Sequence, residues 1–455
     1  MRLAWFSPLP PARSGIATYN ADLLAVLDRD FVIDRFVDRT TGTGVGASDR
    51  PIDTTMGTGV GAADQPTPVP SNRVHDAHDF LWLQRREPYD LVVYQLGNAP
   101  AHDYMWAYLA PFPGLVVVHD PTLHHARARQ LLIGGRPDDY RREFHYDHPG
   151  APTGFAEYAV QGLGGPIYYL YSMLRVPMQT ARLVAVHNPR IAADLAEAFP
   201  GVAVDAIHLG TRPLDTSDAL RARVRATMGV PDGCTLYAAF GKITEAKRTG
   251  AILRAFTTLV RGGLNARLLL AGDASDYPSL DREIEATGTA DRIFVAGYIE
   301  EDNVGGYLAA ADACLCLRWP TTGETSASWL QCLAAGRPTI ISDLAHLVDI
   351  PSTVTLRVDL LDEEASLLHA MRQLATDADL RSRLGREGHA YWAAHHTVEV
   401  MANDYRRIIK EAAMRPAPLV ADLPAHFLED YSGRARGIMN GFGVEVDLQF
   451  GGHDT

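Results

Sequence analysis

Short apolar runs recur along the chain at intervals that leave room for one helix each. RLAWF (2–6) comes first, followed by a helix in which Ile16, Tyr19, Leu23 and Leu27 share one face. FVIDRF, DLVVY (90–94), GLVVVHD (114–120), RLVAVH (182–187) and VDAIHL (204–209) continue the series. LGTRPLD (209–215) then reads as a linker, and a second series begins. It comprises TLYAAFG (235–241), ARLLLAG, RIFVAG (292–297), ACLCL (313–317), PTIISD (338–343) and TVTLRVD (353–359), with helices such as Glu245 to Leu259 and Asn303 to Ala310 in the gaps. Strands alternating with helices predict two parallel, doubly wound α/β sheets. A closing helix places Val398, Met401, Tyr405, Ile408 and Ala412 on one face, and the residues from about Arg415 onward are punctuated by Pro and Gly.

Residues 38–66 break the rhythm. TGTGVGASDRP (41–51) is echoed by MGTGVGAADQP (56–66), a tandem repeat that reads as a duplicated surface loop. Its GxG patterns lack the strand–turn–helix frame of a nucleotide fingerprint.

Composition adds little to the fold and more to the function. A chain of 455 residues, 47% hydrophobic, suits two cores. A net charge of −13 disfavours a nucleic-acid binder relying on a basic footprint but leaves room for a local basic cleft for a phosphorylated ligand. No stretch reaches the ~20 apolar residues of a membrane helix, and MRLAWFSPLPPARSG, with a short apolar run followed by prolines, is not expected to act as a signal peptide. Cys234, Cys314, Cys316 and Cys332 form no disulfide pattern; Cys314 and Cys316 read as small apolar strand residues suited to a reducing cytoplasm.

Four segments carry candidate chemistry. SPLPPARSGIATY follows the first strand, and Gly15 opens a helix whose N–H groups suit a phosphate; a tight turn alone would also explain it. FGKITEAKR places Lys242 and Lys247 near a helix N-terminus, against the macrodipole, which a diphosphate would compensate; two solvated lysines are the plain alternative. PTTGETSASWLQCLAAGRP is the most specific. Thr322 to Ser326 start a helix, Gly336 and Pro338 stop it, and Gly323, Glu324, Thr325 and Ser326 suit a polyol and phosphate site beyond a strand; Glu324 and Ser326 as plain capping groups are the alternative. VVVHDPTLHH (116–125) puts His119 at a sheet's carboxyl edge, where a ligand or plain packing at the strand end would explain it; Asp120, His124 and His125 beside it suggest a metal only weakly.

In the order of these four landmarks the chain resembles the retaining glycosyltransferase family four, of GT-B architecture. The likeness runs over residues 1 to 412 apart from the 38–72 insertion. The resemblance implies an N-terminal acceptor-side domain (1–209), a nucleotide-sugar domain (210–396), a helix crossing back (397–414) and a tail without a role (415–455). It implies a donor in the interdomain cleft. Lys242 and Lys247 match the basic pair on the diphosphate, with Gly241 before them; Gly15 and Ile16 match the N-terminal loop near the same phosphates. His119 matches a histidine beside the sugar, and Tyr298 and Ile299 match the backbone cupping the base. Glu324 and Gln331 depart from the family's paired glutamates, Gln331 retaining an acceptor for ribose. Gly323, Thr325 and Ser326 complete the donor set.

The implied reaction is retaining, metal-independent transfer from an NDP-sugar to an acceptor the sequence does not name. An NDP-sugar epimerase and a binding protein that keeps only the fold are the competing readings. The Asp-x-Asp pairs Asp28/Asp30 and Asp377/Asp379 sit at helix junctions, away from strand ends. A lipid acceptor would place the protein at the inner membrane face. It would use 164–183 and the arginines 127, 129, 136, 141 and 142 as a membrane surface; a buried helix beside a solvated loop is the preferred reading of that stretch.

Overall fold

The computed structural model describes residues 1–39, 73–420 and 422–428; the tandem repeat and the last residues of the tail lie outside the described residues. Seven parallel strands form the first sheet: β1 Arg2–Phe6, β2 Val32–Val37, β3 Val74–Asp76, β4 Leu91–Leu96, β5 Leu115–Val118, β6 Leu183–Val186 and β7 Val204–Ala206, in the order β3-β2-β1-β4-β5-β6-β7. Six more form the second: β8 Thr235–Phe240, β9 Ala266–Ala271, β10 Ile293–Gly297, β11 Ala313–Cys316, β12 Thr339–Ser342 and β13 Leu356–Val358, ordered β10-β9-β8-β11-β12-β13. Both are Rossmann-like. In each the strand order reverses beside the first strand, between β1 and β4 and between β8 and β11, which opens a crevice at the carboxyl ends.

Several elements differ from expectation. β3 is a three-residue strand the apolar pattern does not reveal. The helix expected from Glu245 begins instead at Thr249, after a 3₁₀ turn over Glu245–Lys247 and a left-handed Arg248 (φ 58°). Residues 164–183 are not one buried helix: Ile167–Leu170 and Arg175–Thr180 are separate short helices, and Met173 between them has φ 55°. The arginines before that stretch are paired rather than free. Arg127 bonds Glu143, Arg129 bonds Asp103, Arg136 and Arg142 bond Asp139, and Arg141 bonds Glu157.

The helix Val398–Met414 leaves the second half and packs on the first. Met401, Ala402, Tyr405, Ile408, Ile409 and Ala412 are fully buried with Leu3, Trp5 and Leu23 of the first sheet's layer, and with Trp329 and Leu333 of the second. One apolar cluster therefore joins both halves. The tail continues over the first half, where Leu423 is buried and His426 lies 2.6 Å from Glu143. Among the described residues no helix is long and apolar enough to cross a membrane.

Candidate functional site

At the second sheet's switch point β8 and β11 diverge. Ala239, Phe240, Gly241, Lys247, Cys316, Arg318, Ser326 and Ser328 line the recess between them. Gly241 ends β8 with φ +98°, a conformation that side chains disfavour. A Cβ there would come within 2.3 Å of Lys247 Nζ and 3.1 Å of Ser328 Oγ. Glycine is thus required twice, for the backbone and for the space. Gly241→Ala is expected to leave the protein folded but displace the Lys247 ammonium, weakening pyrophosphate binding about tenfold; calorimetric titration checks it.

The loops after β8 and β11 are tied together, Trp319 N–H donating to Ala246 C=O at 2.7 Å. Lys247 sits inside that tie and donates to Phe240 C=O at 3.1 Å. Burial, with the Arg318 guanidinium adding repulsion, brings its pKa down to about 8. A buried cation facing a second cation is costly unless an anion joins them. Because the folded value lies below the free one, stability rises with pH above about 8.

Lys242 behaves differently. It is half exposed and pairs with Asp276 at 2.5 Å, outside the recess. The second cation lining the recess is Arg318, which the sequence reading missed. It leaves the end of an apolar strand, where a solvated arginine would be the plain reading, and only the fold shows it partly buried. It pairs with Glu324, and Asp120 of the first half and Tyr169 are among its electrostatic neighbours.

The GETS segment folds back on itself. Besides Arg318, Glu324 accepts from Thr321 Oγ1 at 2.8 Å, Thr322 N–H at 3.0 Å and Thr322 Oγ1 at 2.7 Å. Its carboxylate is fully engaged within its own loop. Ser326 caps the helix Ala327–Ala334, accepting from Trp329 N–H. Thr325 Oγ1 reaches the other half and donates to His187 C=O at 2.8 Å. Gly323, at φ +91°, packs on Ile191 of the first half, 2.8 Å from where a Cβ would stand. Gln331 Nε2 turns to Glu301 at 3.3 Å.

Across the cleft, Gly15 is the first residue of the helix Gly15–Leu27, capped by Ser14, with open space where a side chain would be. Ile16 packs toward Gly97 at the end of β4. Arg13 spans the gap, 4.9 Å from the Tyr298 ring and 3.2 Å from Glu300. Ile299 is partly buried behind them. The two halves therefore do face one another over a bridged gap.

His119 ends β5 in a buried chain of hydrogen bonds. Its Nε2 lies 2.7 Å from Gln95 Oε1 and its Nδ1 3.2 Å from His187 Nε2, while Tyr19 stands edge-on at 4.9 Å. Burial holds both imidazoles neutral, His119 well below the usual value and His187 at about 4. With Nε2–H donated to Gln95 and Nδ1 accepting from His187, the ring has no spare N–H. His124 is a packing residue, bonded to Tyr171 C=O at 2.8 Å and Tyr140 OH at 2.7 Å. Among the described residues no three His, Cys, Asp or Glu side chains converge as a metal site would need. Asp377 caps a helix, and Asp28 and Asp30 pair with Arg35 and Arg406.

Comparison with known proteins bears on this geometry. The chain is 22% identical over 201 residues to alpha-D-kanosaminyltransferase of Streptomyces kanamyceticus, covering 44% of this chain and 51% of that enzyme, about half its length. Among solved structures, Anabaena Alr3699/HepE in complex with UDP and glucose superposes with a TM-score of 0.60 at 12% identity, covering 90% of this chain and 99% of that one. Sucrose-phosphate synthase from Thermosynechococcus elongatus gives 0.62 at 16% identity, covering 90% and 98%. The fold is GT-B, and residues 235–377, which carry the recess, match the family described as Glycosyl transferases group 1.

Proposed function

We propose that the chain is an NDP-sugar-dependent glycosyltransferase whose donor diphosphate occupies the recess between β8 and β11. The observation that carries this is Lys247, a partly buried ammonium beside Gly241 and Arg318 with no carboxylate partner among the described residues. The UDP-bound state of the HepE neighbour supports a nucleoside diphosphate in this fold.

Cleaving the bond from sugar C1 to the phosphate leaves positive charge on the sugar and negative charge on the diphosphate. Lys247 and Arg318 are cations already held at that place, so the leaving group meets them without reorganisation. In this reading they supply the charge that a magnesium ion supplies in other transferases, so transfer is expected to persist in EDTA. Retention follows if the acceptor attacks on the leaving-group face, a phosphate oxygen taking its proton. His119, its nitrogens held by Gln95 and His187, acts as a wall that positions the sugar rather than as a base. Lys242 reaches the diphosphate only by leaving Asp276.

Screening UDP-, GDP-, ADP- and dTDP-sugars for donor hydrolysis by mass spectrometry tests the reading. Release of one nucleoside diphosphate with its sugar is expected; no turnover of any donor overturns it, and altered sugar without an acceptor points to an epimerase.

The lowered pKa gives a second check. Below about pH 8 Lys247 is charged in the free protein and an anion binds without proton uptake. Above it, binding must first protonate the amine. Nucleoside diphosphate affinity should therefore fall by up to about tenfold per pH unit beyond that point, and the fall should vanish in Lys247→Ala. Calorimetry at a series of pH values reads both.

A further inference from the structure

Three of the four cysteines gather behind the recess. Cys314 and Cys316 alternate along β11 and so share one face, and Cys332 meets them from the helix Ala327–Ala334. Cys316 Sγ and Cys332 Sγ are 3.9 Å apart, in van der Waals contact. Cys314 and Cys332 are fully buried, whereas Cys316 is partly exposed and lines the recess with Lys247, Arg318 and Ser328. Lys247 and Arg318 are both electrostatic neighbours of the Cys316 sulfur. An accessible thiol in an electropositive setting with a second thiol beside it is the arrangement of oxidation-sensitive pairs.

We propose that Cys316 and Cys332 form a peroxide-responsive dithiol whose oxidation to a disulfide closes the recess. The Cys316 thiolate attacks one peroxide oxygen; an S–O bond forms, the O–O bond breaks, and the other oxygen leaves with a proton as water or alcohol. The Cys332 sulfur then attacks the sulfenic sulfur of Cys316. The S–S bond forms, the S–O bond breaks, and hydroxide leaves with the Cys332 proton as water. Two thiols are oxidised by two electrons and one peroxide is reduced.

Bonding brings the sulfurs from 3.9 Å to about 2.0 Å, which draws the helix Ala327–Ala334 toward β11. Ser326 and Ser328 at the start of that helix move with it, and Ser328 borders Gly241 and Lys247. The effect on the recess rests on the donor site proposed above; the thiol chemistry does not.

The experiment treats the full chain with hydrogen peroxide under native conditions, alkylates remaining thiols and maps the peptides by mass spectrometry. A Cys316–Cys332 cross-link reversed by dithiothreitol is expected as the main product. Cys332→Ser should instead accumulate a Cys316 sulfenic acid trapped by dimedone. Absence of the cross-link in the oxidised wild-type protein overturns the proposal, as does Cys332 oxidising equally fast in Cys316→Ser. In parallel, the thermal shift produced by UDP, GDP, ADP or dTDP should be lost on oxidation and restored by dithiothreitol. A disulfide that leaves the shift unchanged overturns control of the recess. A reduced protein that shows no shift with any of them identifies the donor reading as the failure, the cross-link being read without nucleotide.

Discussion

Replacing Lys247 by alanine should slow sugar transfer by about 10²- to 10³-fold, the usual cost of removing one preorganised group facing developing negative charge. The protein should remain folded. The one hydrogen bond of the lysine side chain among the described residues is to Phe240 C=O, and burying its charge costs stability in the free state. Lys242→Ala should cost far less, about tenfold, because that side chain is half exposed and paired with Asp276. Equal losses for the two variants would show that the diphosphate lies at the mouth of the cleft and not in the recess. Steady-state rates at saturating donor, with circular dichroism to confirm folding, make the comparison.

The second large effect concerns stability. Tyr405→Ala should destabilise the protein by about 3–5 kcal/mol, the range for large-to-small changes at fully buried sites. Tyr405 is fully buried on the helix that crosses back. Its ring lies 5.6 Å from Trp5, and its hydroxyl is 2.7 Å from Tyr19 OH and 3.1 Å from Gln95 Nε2. Gln95 in turn holds His119. Tyr405→Phe keeps the ring and loses only the hydroxyl, so about 1–2 kcal/mol is expected. Denaturant titration followed by tryptophan fluorescence separates the two, and a Tyr405→Ala protein as stable as wild type would mean the helix contributes little to joining the halves.

How much of this could be read from residues alone depended on the kind of signal. Among the described residues, apolar runs announced every strand but β3, because a buried parallel strand needs a continuous apolar segment whatever its neighbours are. β3 escaped because three residues, VHD, carry no period. Gly336 ended the GETS helix as expected, with φ +64°, since that position favours a residue without a Cβ. The turn before Thr249 did not show, because its left-handed residue is Arg248 rather than glycine or asparagine, and the Arg248–Glu363 ion pair that accompanies it is long-range.

The site divides in the same way. Lys247 stood out through its conflict with the expected helix dipole, a local property. Arg318 did not, because its electrostatic neighbours Asp120 and Tyr169 come from the other half. The engagement of Glu324 by Arg318 and two threonines is local but depends on the turn its loop adopts, and the pairing of His119 with His187 is a tertiary fact no spacing rule contains. Cys314 and Cys316 looked like small apolar strand residues, and only the meeting of Cys316 with Cys332 makes a pair.

Calorimetric titration at pH 7 of wild type and Lys247→Ala with a nucleoside, its monophosphate and its diphosphate probes the recess itself. Affinity should climb steeply at the second phosphate in the wild type and flatten in the variant. A nucleoside bound as tightly as its diphosphate, or a variant indistinguishable from wild type, would contradict a diphosphate seated on Lys247.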